Sequence, residues 1–173
     1  MMKRMAKHIL CIVLISSMFS TSAFAKPFNP NDYTSVDEKS ELLPKTVKSD
    51  IAHESAIMRG DFFSAADVVI IDKGNGDVGA LAKAYMNYAV DEAYITIYLD
   101  RWDAEAERWR QVAYYDAEFY AKDYPEGLED PELSIVFKNQ EKGYYYRLRG
   151  VFAAIYNGKF EGFSPVTGGI LIE

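Results

Sequence analysis

Cysteine and histidine are nearly absent from this sequence, and their absence removes whole classes of chemistry. The single cysteine, Cys11, lies in an N-terminal leader, so the remainder has no thiol for a disulfide or a nucleophile. Outside the leader the only histidine is His53. The pair His53-Glu54 lacks the second histidine of a zinc-protease helix, and no G-x-S-x-G elbow occurs. We therefore predict no catalytic residue, no metal site and no cofactor.

Long hydrophobic runs are also missing. The apolar stretch that begins with residues 9–14 falls well short of the ~20 residues that span a bilayer. Three basic residues precede it, and the small residues of Ala23-Phe24-Ala25 follow it, which is the layout of a secretory signal peptide. The sequence predicts a leader over residues 1–25, cleaved near Ala25, and a secreted or extracytoplasmic protein without a membrane anchor.

Positive charge is scarce as well. The chain has 19 Lys and Arg against 26 Asp and Glu, a net charge of −7, and removal of the three basic residues in the leader would bring it to −10. A strongly acidic surface repels phosphate backbones and anionic lipids. Nucleic acid and anionic membranes are therefore excluded as expected partners.

The rest of the chain divides into a tether and one domain. Residues 26–55 contain three prolines among polar and charged residues, without a sustained apolar period, and are predicted to be a flexible tether. Residues 56–173 are long enough for one self-sufficient domain and too short for two. With no cysteine available, this domain depends on a packed core.

The domain shows short apolar runs separated by turn signals about every ten residues, which is typical of an all-β sandwich. Asn75-Gly76 and Asn157-Gly158 indicate tight turns because these residues tolerate positive φ. We predict an all-β, antiparallel β-sandwich of about seven strands. The predicted strands are 65–72, 78–86, 93–102, 109–119, 132–138, 143–156 and 167–173.

Two of these strands predict a candidate binding face. If the third and sixth strands are neighbours, one face combines flat tyrosine rings with planar arginine donors, which suit a sugar, a peptide or a partner domain. The alternative is that the arginine side chains merely stack on the tyrosines and stabilise the sheet. The residues of this face are Tyr94, Tyr98, Tyr145, Arg147 and Arg149.

The same strands carry a family resemblance. The segment YYYRLRGV, followed by a turn, FSP and an apolar final run, resembles the end of a fibronectin type III domain, an immunoglobulin-like sandwich. Residues 56–173 also resemble a family of small exported proteins of unknown function from Gram-positive bacteria, with DKGNG, ITIYLDRW, W-x-x-V and GYYYR in the same order. The resemblance implies a β-sandwich and no activity, and it implies that Tyr144 is a corner tyrosine bonded to nearby backbone.

The sequence is compatible with three functions. We expect a non-enzymatic extracellular binding module whose partner is unknown, with a cell-surface glycan, the cell wall or a protein as candidates. The alternative is a structural or envelope-associated protein without a small-molecule ligand. A small glycoside hydrolase comes third, since any two acids can converge in a cleft.

Overall fold

The computed structural model describes residues 28–55 and 61–173. The predicted leader, its cleavage point and the expected start of the domain at Ala56 lie outside these residues. Within the described ranges, two single 3-10 turns occur, at Pro30–Asp32 and Ala121–Asp123. The strands are β1 Ser49–Ser55, β2 Phe63–Gly74, β3 Asp77–Met86, β4 Glu92–Asp103, β5 Arg108–Tyr120, β6 Glu132–Phe137, β7 Tyr144–Tyr156, β8 Lys159–Phe163 and β9 Ile170–Ile172.

The strands form two antiparallel sheets, which confirms the predicted all-β sandwich. One sheet has the order β1-β2-β3-β6, and the other has the order β5-β4-β7-β8, with β9 also paired to β7. The predicted third and sixth strands are indeed neighbours, since β4 pairs with β7 and places Tyr98 opposite Arg149.

The core lies between the sheets and follows the period of two along each strand. Ile95, Ile97 and Leu99 of β4 are fully buried on the inner face, as their alternation predicts. Leu148 and Phe152 of β7 join them from the next strand. The first sheet contributes its inward-facing apolar side chains, among them Ala66, Val68, Ile70, Val78, Ala80 and Ala82.

Two tight turns form where Asn-Gly pairs predict them. Asn75 and Gly76 have φ values of 55° and 81° between β2 and β3. Asn157 and Gly158 have φ values of 50° and 72° between β7 and β8, the left-handed conformation that a two-residue hairpin turn requires. Local turn chemistry therefore fixes both hairpins.

Residues 28–55 and 61–173 contain nine strands where about seven were predicted. β1 escapes detection because its one large apolar residue, Ile51, is 59% exposed and the strand is held by backbone pairing with β2. β8 is a five-residue strand with an internal glycine, Gly162. β1 also lies in the segment predicted to be a flexible tether, so the structure differs from that expectation at residues 49–55.

Candidate functional site

The structure brings the predicted tyrosine and arginine side chains onto the outer face of β4 and β7, but it does not leave that face open. Tyr98, Arg147 and Arg149 are 2%, 0% and 2% exposed. Tyr94 and Tyr145 are half-buried towards opposite ends of the face. The cover is the chain's own residues 28–43, here called the N-terminal strap. The expectation of an exposed binding face is corrected for the three central residues.

Asp100 is the centre of the buried charge under the strap. Its Oδ2 accepts hydrogen bonds from Arg147 Nε at 3.0 Å and from Arg149 Nε at 2.6 Å. Arg149 Nη2 also donates to Asp100 Oδ1 at 3.1 Å and to Gln111 Oε1 at 3.0 Å. Burial lowers the pKa of Arg147, and the attraction of Asp100 opposes this shift. One carboxylate thus serves two buried guanidinium groups.

Backbone carbonyls of the N-terminal strap complete this network. Arg147 donates to Glu38 O at 2.5 Å and to Val36 O at 3.0 Å, and Arg149 donates to Thr34 Oγ1 at 3.3 Å. These acceptors lie 109 to 115 residues away along the chain. Buried guanidinium donors need such partners, so the arginines hold the strap in place.

Further contacts fix both ends of the strap. The Tyr98 hydroxyl donates to Asn31 Oδ1 at 2.9 Å. Near the other end, Leu43 N donates to Gly169 O and Gly169 N donates to Glu41 O, each at 2.8 Å. The strap is therefore an ordered part of the sandwich surface.

Two adjoining hollows lie between the strap and β5, each of about 320 Å³. They share Pro30 and Asp116, so they form one groove, here called the acidic–aromatic groove. The first hollow is lined by Phe28, Pro30, Tyr94, Thr96, Asp116, Ala117, Glu118 and Tyr120. The second is lined by Asn29, Pro30, Asn31, Tyr98, Gln111, Tyr114 and Asp116.

The acidic–aromatic groove has two carboxylates in its wall. Asp116 and Glu118 line it, and neither hollow has a lysine or arginine among its lining residues. Burial, together with a hydrogen bond to Glu92, raises the pKa of Tyr94, and the hydrogen bond to Glu118 at 2.5 Å raises the pKa of Tyr120. Both phenols therefore stay protonated and act as neutral hydrogen-bonding groups around neutral pH.

A third hollow, of about 400 Å³, lies where the strap passes the two tryptophans, and is here called the tryptophan hollow. The rings of Trp102 and Trp109 meet at 5.3 Å with an interplanar angle of 64°. Burial raises the pKa of Glu38, and the positive charge of Arg147 opposes this shift. The hollow is lined by Val36, Asp37, Glu38, Lys39, Ser40, Trp102, Glu107, Arg108 and Trp109.

Trp109 has an unpaired donor. Within residues 28–55 and 61–173, its indole Nε1 is the one buried side-chain nitrogen or oxygen that has no hydrogen-bond partner. The side chain is 4% exposed, and the Arg147 guanidinium stacks over its ring at 4.6 Å. A buried unsatisfied donor typically costs about 1–3 kcal/mol.

The outer-face residues of β5 are absent from the predicted binding face. The strand is predicted over 109–119, but no face is assigned to Gln111, Tyr114, Asp116 and Glu118. The alternation from Tyr114 to Tyr120 is a usable signal, because these residues share the outer face with Tyr94 and Tyr98 of β4. A register shift opposite Leu99 and Asp100 changes the faces before Tyr114 and obscures the pattern.

Two acids at the ends of the Asn75-Gly76 turn, Asp72 and Asp77, have structural hydrogen-bond partners. Asp72 Oδ1 accepts a hydrogen bond from Gly74 N at 2.9 Å, and Asp77 Oδ1 accepts one from Asn139 N at 3.0 Å. In the part of the chain that the structure describes, no group of three or more His, Cys, Asp or Glu residues is placed to hold a metal ion.

Comparison with known proteins adds no relative. No family model matches this chain, and no curated protein matches it. Among the described residues, no helix has the length and apolar character needed to cross a bilayer.

Proposed function

We propose that this protein is a non-enzymatic binding module that acts outside the cell and recognises a glycan in the acidic–aromatic groove. The observation that carries the proposal is the pair of adjoining 320 Å³ hollows that share Pro30 and Asp116. A concave site with aromatic walls and a few converging polar groups is the usual form of a small-ligand site.

The groove chemistry favours sugars. Tyrosine rings give flat contact area with a polar tip, and the rings of Tyr94 and Tyr120 meet edge to face at 6.4 Å. The Gln111 amide, whose Oε1 is bonded to Arg149, and the Asp116 carboxylate supply polar groups for ring hydroxyls. Because the groove carries carboxylates without a lining cation, the ligand is a neutral or amino sugar and not an acidic one.

The wider proposal of an exported fibronectin type III-like protein rests on the leader and on strand order. The leader over residues 1–25 supports export. The order β2-β3-β6 in one sheet and β5-β4-β7-β8 in the other supports the fibronectin type III resemblance. Membership of the exported family with the GYYYR motif remains a prediction from the sequence.

A glycan array and a cell-wall pull-down with the protein lacking its leader test the function. Tyr114 and Tyr115 are adjacent, 61% and 48% exposed, and point to opposite faces of β5, so they form a matched pair. We expect Tyr114→Ala to lose glycan binding and Tyr115→Ala to keep it, with circular dichroism showing both folded. Equal binding by both variants would contradict the site. Capture of a wall protein without any glycan would contradict the ligand class.

A structural or envelope-associated role is the second candidate. The observation that favours it is that Tyr98, Arg147 and Arg149 are buried and bonded within the chain, as expected for a face that only stabilises the sheet. Absence of glycan binding in the array would favour this structural role over the binding function.

A glycoside hydrolase also has one specific observation in its favour. Asp116 and Glu118 project from the same face of β5 into the first hollow, and paired carboxylates beside a sugar are the machinery of glycoside hydrolysis. Incubation with the glycans that bind, followed by an assay for new reducing ends, tests it. Release that Asp116→Asn abolishes would make the protein an enzyme.

A further inference from the structure

The three hollows form a single row along β5. Successive outer-face positions of this strand line them in order, from the tryptophan hollow through the second hollow to the first. At ~3.3 Å per residue, the strand spans about 35 Å between the first and last of these positions. The outer-face residues of the row are Trp109, Gln111, Tyr114, Asp116, Glu118 and Tyr120.

The N-terminal strap borders the whole row on its other side. Phe28 and Pro30 line the first hollow, Asn31 lines the second, and residues 36–40 line the tryptophan hollow. Each hollow of the row therefore has β5 on one side and the strap on the other. Such a shape suits a long, extended ligand better than separate small ones.

Trp109, at the far end of the row, has an indole N–H that lacks a hydrogen-bond partner. Its indole N–H is buried without an acceptor, although its ring lines the tryptophan hollow. A hydroxyl or carbonyl oxygen on a ligand is the acceptor that this donor lacks. The ring surfaces of Trp102 and Trp109 add the flat contact area that sugar faces need.

We propose that the row holds one extended oligosaccharide, whose end occupies the tryptophan hollow and pairs with Trp109 Nε1. This inference rests on the proposed glycan-binding function and adds to it the chain length of the ligand. Affinity then increases with the number of sugar units until the chain reaches Trp102 and Trp109.

Calorimetry and tryptophan fluorescence on one oligosaccharide series test the inference. The sequence contains two tryptophans, and both line the tryptophan hollow, so indole emission reports on this end of the row alone. The probes are N-acetylglucosamine, glucosamine and glucose oligomers from disaccharide to hexasaccharide. We expect the hexasaccharide of the recognised sugar to bind about tenfold more tightly than its disaccharide and to change the emission, which the disaccharide leaves unaltered.

Variants at the tryptophan hollow complete the test. Trp102→Ala is expected to abolish the affinity advantage of the hexasaccharide over the disaccharide. Arg108→Ala changes an exposed lining residue, is used if Trp102→Ala misfolds, and is expected to reduce the same advantage by less. Tyr115→Ala serves as the unaffected control. Equal affinity at all lengths, or tight hexasaccharide binding without an emission change, would overturn the extended ligand and leave glycan recognition standing. No binding by any oligomer would overturn both.

Discussion

Asp100 is the residue on which the covered face depends most. It is fully buried and accepts hydrogen bonds from two arginines that are themselves buried. Arg147 stacks on Trp109 at 4.6 Å and Arg149 on Tyr98 at 4.7 Å, so each guanidinium also has an aromatic contact. Removing the carboxylate leaves two buried positive charges without a counter-ion.

Asp100→Asn is therefore expected to lower the free energy of unfolding by about 3–5 kcal/mol, the usual cost of breaking a buried ion pair from one side. Urea denaturation followed by circular dichroism measures the loss. Glu141→Gln is the control, because Glu141 pairs with Arg101 at the surface and such pairs contribute only about 0–1 kcal/mol. Similar losses in the two variants would contradict the role assigned to Asp100.

Tyr146, and not Tyr144, is the tyrosine whose hydroxyl bonds to nearby backbone, the role that the fibronectin type III resemblance implies for Tyr144. The Tyr146 ring is 1% exposed, and its hydroxyl donates to Glu141 O, five residues upstream, at 2.9 Å. Tyr144 is 38% exposed, and its ring stacks with Arg101 at 4.7 Å. The role that the resemblance implies for Tyr144 is therefore wrong: the buried, backbone-bonded tyrosine is Tyr146, two residues later.

Tyr146→Phe is expected to lower the free energy of unfolding by about 0.5–1.5 kcal/mol, because it removes a buried hydrogen bond while keeping the ring. Tyr144→Phe removes the same atom at an exposed position and should change stability very little. The same denaturation assay compares the two. A larger loss for Tyr144→Phe would restore it as the corner tyrosine.

The N-terminal strap is the element that the sequence describes least well. Its proline-rich, polar composition predicts disorder, yet buried arginines bind its backbone carbonyls. Backbone groups are present in every sequence, so composition does not reveal that these particular carbonyls are needed as acceptors. The order of the strap can be predicted only once the arginines are known to be buried and to need these carbonyls as acceptors.

Glu38 gives the strap a pH dependence. The side chain is largely exposed, and partial burial against the sandwich raises its folded-state pKa above the ordinary 4.5. The stability that protonated Glu38 contributes is therefore complete below pH 4.5 and is lost as the pH rises through the raised value. Glu38→Gln stays neutral and should flatten this decrease just above pH 4.5. Denaturation midpoints across the acid range measure it, with Glu41→Gln, at another strap carboxylate, as the control. A curve for Glu38→Gln that parallels the wild type would refute the assignment.

β5 shows how much of the candidate site could be predicted. The sequence predicts the strand within one residue at each end, and its alternation contains the outer-face residues from Tyr114 to Tyr120. The groove could not be predicted, because its second wall is Phe28 and its neighbours in the strap. Pairing of β4 with β7, by contrast, was predictable from the sandwich topology, in which the third and sixth predicted strands are neighbours.

At the scale of the whole molecule, negative charge is the dominant property. The expected net charge of −10 after removal of the leader produces self-repulsion that favours the unfolded chain. Raising NaCl from about 20 to about 200 mM shortens the screening length and should raise the thermal midpoint. The Asp100 network is shielded from solvent, so Asp100→Asn should show the same salt response as the wild type. A midpoint that falls with salt would show that surface ion pairs outweigh the repulsion.

The sequence by itself determined seven of the strands, the two Asn-Gly turns and the two-faced pattern of β7, because alternation and turn conformation depend on residues close together in the chain. Only the tertiary structure decided that Tyr98, Arg147 and Arg149 are covered, and that the groove lies beside them. That outcome depends on a strap that meets Arg147 from 109 and 111 residues away along the chain. A contact of this range depends on the packing of the entire sandwich and on where buried donors find acceptors.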